Sequence, residues 1–126
     1  MTEAEISNFE KVQAQLESLH DEIGNLSKKS QNDALNTFKL KFVNKTISEA
    51  NLILGNQYKP FDDFQQFDEN DIPSNSDATM ILGQYLNCLE KLRSDNIVQE
   101  MARWYWRAGN TTTSIRTSPP KKIAEK

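Results

Sequence analysis

The sequence predicts an all-α fold: a helical hairpin or small helical bundle with a long acidic and aromatic loop and a flexible basic C-terminal tail. Three observations point there. The 126 residues include only four glycines and four prolines, too few for the many tight turns of a sandwich or barrel. Three stretches repeat apolar residues at helical spacing, the main secondary-structure signal that a sequence holds. The length, with 37% hydrophobic and 26% charged residues, fits one globular domain. That domain is expected over 1–109, with the tail over 110–126.

The first element covers residues 1–26. Phe9, Val12, Leu16, Leu19, Ile23 and Leu26 follow one another at steps of 3, 4, 3, 4 and 3, a heptad seam on one face of a helix. A helix this short is marginal in water without packing, so the seam needs a cover. Either the chain's own second helix or a second copy supplies it, the latter giving a homo-oligomer through residues 9–26. The flanking Gln13, Gln15, His20, Glu22 and Ser27 have too little charge to choose between them.

Ser30 or Asn32 can cap a second helix over 33–54, and Gly55-Asn56 can end it in the left-handed conformation. At 100° per residue, Leu35, Phe38, Phe42, Val43, Thr46, Ala50, Ile53 and Leu54 share a broad arc expected to face the core. Lys39 projects into that arc, where it must snorkel, meet an acid or face a partner. Residues 56–76 then read as an ordered loop. Loops of that length are uncommon unless pinned or functional, and Phe61, Phe64 and Phe67 are the side chains that can pin this one.

Ser74, Asn75 and Ser76 offer caps for the last helical region, 77–108. Ala78, Ile81, Leu82, Tyr85, Leu86, Leu89 and Leu92 form its stripe. After Ser94-Asp95-Asn96 the apolar Ile97, Val98, Met101, Trp104 and Tyr105 point in a rotated direction, which predicts a kinked helix or a helix pair. Gly109 ends it. The remainder, interrupted by Pro119-Pro120, has little apolar content to order it.

Catalytic chemistry finds no foothold. With one cysteine, Cys88, and one histidine, His20, there is no internal disulfide, no closed zinc site and no credible Cys–His pair. The acids Asp62, Asp63, Asp68, Glu69 and Asp71 lack the spacing and central glycine of a calcium loop. No phosphate-cradling glycine loop or nucleophile elbow is present. The expectation is a protein without catalytic residues, metal or cofactor. The first residues hold no basic patch or apolar run of signal length, and no stretch of 18 apolar residues follows. That predicts a cytoplasmic chain off the membrane.

Two binding candidates remain. Aromatics and arginine dominate protein interfaces, and Trp104-Tyr105-Trp106 sits between Arg103 and Arg107. A helical wheel turns Trp106 away from Trp104 and Tyr105, so Trp106, Arg103 and Arg107 are the expected protein-contact residues. Charge also alternates in four blocks along the chain. Within the basic blocks, Lys28, Lys29, Lys41, Lys45, Lys121 and Lys122 would follow a phosphate backbone if the second helix and the tail converge. The resulting expectation is a non-enzymatic interaction protein, a small accessory or adaptor subunit of an intracellular assembly, with a protein partner. The alternatives are a nucleic-acid-binding accessory protein and an acidic inhibitor presenting residues 62–71 to a basic target.

Overall fold

The computed structural model describes residues 1–122. Among them the chain forms three helices and then a three-stranded antiparallel sheet of order β1-β2-β3: α1 (Glu3–Ser30), α2 (Thr37–Tyr58), α3 (Asn75–Ser94), β1 (Ile97–Glu100), β2 (Arg103–Ala108) and β3 (Thr111–Thr117). The fold is therefore mixed helix and sheet, which corrects the all-α hairpin or bundle.

The correction falls on residues 97–117, read above as the end of a kinked helix and the start of a flexible tail. Ile97, Val98, Trp104, Tyr105, Trp106, Thr111, Thr112, Thr113 and Ile115 are β-branched or aromatic, the types that fit a pleated surface. Ile97 pairs with Trp106 and Glu100 with Arg103, leaving Met101 and Ala102 as a two-residue turn. Both have positive φ, 50° and 67°. That backbone matches the twist of the flanking strands, although each non-glycine residue held there costs about 1–2 kcal/mol. Gly109, at φ 62°, turns β2 into β3 without that cost.

Each helix starts on a side-chain cap. Thr2 and Glu5 form a reciprocal capping box on α1, Asn36 caps α2 and Ser74 caps α3, each supplying an acceptor for an otherwise free N–H. Ile6, Phe9, Val12, Leu16 and Ile23 are fully buried. The seam of α1 thus finds its cover inside the chain, on α2, α3 and the Trp106 ring of β2. The α1–α2 link is held to the start of α3 by Leu35 N donating to Pro73 O at 2.9 Å and Asn75 Nδ2 donating to Ser30 O at 2.9 Å.

Two irregular segments are tied to this frame. In the α2–α3 loop, Asn44 Nδ2 donates to Phe67 O at 3.0 Å and Phe67 N donates to Asn44 Oδ1 at 2.9 Å. Asn51 Nδ2 donates to Gln65 O at 3.1 Å and accepts at Oδ1 from the Tyr85 hydroxyl at 2.8 Å. Phe64 packs its ring edge-on to Phe67 at 5.2 Å. After β3 the chain crosses Arg93, which is 2% exposed. Its guanidinium makes two 2.8 Å bonds to the Glu90 carboxylate and donates to Thr117 Oγ1, Ser118 O and Pro119 O. Lys121 N donates to Glu90 Oε2 at 2.8 Å. The segment read as flexible is therefore a strand and a tethered strap as far as Lys121, and residues 123–126 lie outside the described residues. Among those residues no helix is long and apolar enough to cross a membrane.

Candidate functional site

Helix α2 has two seams on opposite sides. Leu40, Val43, Ile47, Ala50 and Leu54, at steps of 3, 4, 3 and 4, are buried. Pointing the other way are Phe38, Phe42, Lys45, Glu49 and Leu52, at steps of 4, 3, 4 and 3. At 100° per residue these five lie within about 80° of arc. Three are large and apolar, yet Phe38 is 65% exposed, Phe42 47% and Leu52 86%. Single exposed apolar side chains are ordinary on any protein; a contiguous row is what marks an interaction surface.

The row has built-in order. The Phe38 and Phe42 rings meet edge-to-face with centroids 5.1 Å apart, the geometry that ring quadrupoles favour. Lys41 Nζ stands 6.0 Å from the Phe38 centroid, at the outer reach of a cation–π contact. Beside Phe42 a groove opens between α1 and α2, lined by Lys11, Ala14, Leu19, Lys45, Thr46 and Glu49. Lys39, one step off the row, is paired with Glu22 at 2.9 Å. Among the described residues Lys45 and Glu49 make no ion pair.

The contact residues expected from sequence fall elsewhere. Trp106 is fully buried, its ring 5.1 Å from that of Phe9 and edge-on to it. The wheel that turned it outward does not apply to a strand, where residues two apart share a face. Trp104 accordingly packs on the same core. Arg103 is exposed at the start of β2. Arg107 is half-buried and donates from Nη2 to the Asp95 carbonyl at 2.6 Å, which joins the sheet to the end of α3. Next to it the Tyr58 hydroxyl donates to Asp95 Oδ2 at 2.7 Å. That bond, assisted by Lys91, holds the Asp95 carboxylate below its ordinary range and pushes the Tyr58 hydroxyl up.

The six lysines do not converge. Lys41 and Lys45 are exposed on α2, and Lys28 and Lys29 end α1. Lys121 and Lys122 lie with Gln13 and Glu17, whereas Lys45 lies with Ala14 and Ser18. Those two pairs lie about 100° apart around α1, so the strap lysines and Lys45 line different hollows. The acids Asp62, Asp63, Asp68, Glu69 and Asp71 are all exposed on the loop. Among the described residues no three His, Cys, Asp or Glu side chains are grouped to hold a metal ion. Burial raises the Cys88 thiol above its ordinary range, which weakens it as a nucleophile.

The outer row of α2 is missed by the sequence reading because the 100° wheel draws one broad arc that joins Phe38 and Phe42 to Val43, Ala50 and Leu54. A signal was available: the regular seam Leu40, Val43, Ile47, Ala50 and Leu54 occupies the inner face and leaves both phenylalanines outside it. Comparison with protein-family models, with curated proteins and with solved structures found no match.

Proposed function

We propose that the chain is a non-enzymatic interaction protein, a small accessory or adaptor subunit that engages a protein partner through the outer face of α2. The observation behind this reading is the row Phe38, Phe42 and Leu52, left in water with Lys45 and Glu49 between them. Fully burying a side chain of this kind is worth roughly 1.5–3 kcal/mol, and a partner that covers all three gains much of that. Steps of 4, 3, 4 and 3 are the spacing at which a helix receives another helix, knobs of one entering holes of the other. The preferred partner is therefore helical. Mixed charge within the row, with Glu49 beside Lys45, suits a protein better than a phosphate backbone, which rewards cations only.

Photo-crosslinking tests this. A photoreactive residue is placed at position 42, at position 52 or, as a control, at Gln99 on β1, and the full chain is irradiated in the cells that make it. Protein adducts from positions 42 and 52 and none from 99 are expected. Adducts to nucleic acid, or equal yields from all three positions, would overturn the reading.

A further inference from the structure

We infer that the helix received by the outer face of α2 is α2 of a second copy of this chain, in a twofold antiparallel pair. This rests on the docking face proposed above and names its occupant.

The reason is the order of chemistry along the row. From Phe42 to Leu52 it reads apolar, cation, anion, apolar: Phe42, Lys45, Glu49, Leu52. Reversed, the same string is its own complement. In an antiparallel pair residue i faces residue j with i plus j constant, and a twofold axis repeats every contact. Setting 42 + 52 = 45 + 49 = 94, Phe42 meets Leu52 of the second copy while Lys45 meets its Glu49. The twofold axis then supplies both contacts again. All four positions are satisfied at one register, and Lys45 and Glu49, which have no ion-pair partner among the described residues, acquire one each.

Neighbouring registers fail. At a sum of 90 Lys45 faces Lys45, and at 98 Glu49 faces Glu49, each placing like charges on the axis. The paired stretch from Phe42 to Leu52 spans about 15 Å at 1.5 Å per residue and carries the four contacts, while Phe38 lies beyond it, opposite position 56 of the second copy. The surface on either side is open. The α1–α2 groove at Ala14 and Leu19 flanks the row on one side and the hollow at Ser48 and Gly55 on the other.

The test is charge reversal read by sedimentation equilibrium of the purified full chain. The parent is expected at twice the 14.5 kDa chain mass. Lys45→Glu alone sets glutamate against glutamate at both symmetric contacts, and Glu49→Lys alone sets lysine against lysine. Each should weaken self-association by about tenfold or more, since opposed like charges are strongly disfavoured across an interface. Mixed together, the two variants match every charge with its opposite, so a heterodimer within about threefold of the parent affinity is expected. Leu52→Glu should give folded monomers of unchanged helical content, because the side chain touches solvent in the single chain, with a melting temperature lowered only by the stability that association adds to the parent.

A parent that stays monomeric to about 1 mM, where association is worth only ~4 kcal/mol, overturns the second copy. So does a dimer indifferent to all three substitutions, or two charge variants that fail to pair on mixing. The crosslinks separate that failure from failure of the docking face itself. Adducts from 42 and 52 to a different protein leave the face standing and remove only this occupant.

Discussion

The α2–α3 loop and the strap after β3 solve the same problem with different chemistry. Both are irregular backbone lying on helices, and both need partners for their carbonyls and N–H groups. The loop is held by neutral amides, Asn44 and Asn51, under a lid of phenylalanine. The strap is held by a buried ion pair, Glu90 and Arg93, whose remaining donors and acceptor reach the strap backbone. A neutral clamp, when lost, costs the bonds and the desolvation of the groups left behind. A charged clamp that loses one member also strands the other charge away from water, and that penalty is the larger.

Arg93→Met is the strongest way to break this comparison. It leaves Glu90 buried without its cation, and a loss of about 3–5 kcal/mol in urea denaturation is expected. Converting both members, Glu90→Leu with Arg93→Met, should cost at least ~1 kcal/mol less than the single change. If the single variant matches the parent's urea midpoint, the strap is not held by charge. Asn44→Ala comes next, at about 1–3 kcal/mol, because it deprives both the N–H and the C=O of Phe67 of their partners. Faster amide exchange at Phe67, with the Lys121 amide unchanged, would show that the two clamps act separately.

The smallest effect sharpens the contrast from the exposed side. Tyr58 and Asp95 form a clamp between α2 and α3 in which the Asp95 side chain is 37% exposed, so solvent screening keeps its worth below about 1 kcal/mol. The sign follows from the shifts. Asp95 is held below its ordinary carboxylate value, so its contribution is present above that value and lost as pH falls through the lowered one. The raised Tyr58 hydroxyl contributes fully below its ordinary value and loses the contribution as pH rises through the raised one. Tyr58→Phe should therefore cost more at neutral pH than at a pH below the lowered Asp95 value, where the carboxylate is protonated. Equal costs at the two pH values would assign the stabilisation to packing.

Much of the helical half was legible. The seam of α1, the α3 stripe and the cap at Ser74 all follow from periodicity and from short polar side chains before it. Gly55 was visible as a break, although the helix bends there at φ 62° and continues to Tyr58. The sheet was misread because Ser94-Asp95-Asn96 serves equally as a helix stop or a new helix cap, and Met101-Ala102 hides a turn that glycine or asparagine usually announces. Yet the content of 97–117 in Ile, Val, Thr and aromatics pointed to strands, and period-2 alternation would have set Trp106 beside Trp104. The Glu90–Arg93 clamp was beyond reach, since a charged pair three residues apart on a helix normally faces water. Only the tertiary path of the strap reveals what it holds.

The contact between Phe9 and Trp106 has a temporal side. Ninety-seven residues separate the two rings, since 106 − 9 = 97. At roughly 5–20 residues per second of synthesis, the helix bearing Phe9 waits about 5–20 s for the strand that covers it. A nascent α1 therefore lacks the Trp106 cover over Phe9 until β2 is made, and its hold on α2 and α3 must suffice until then.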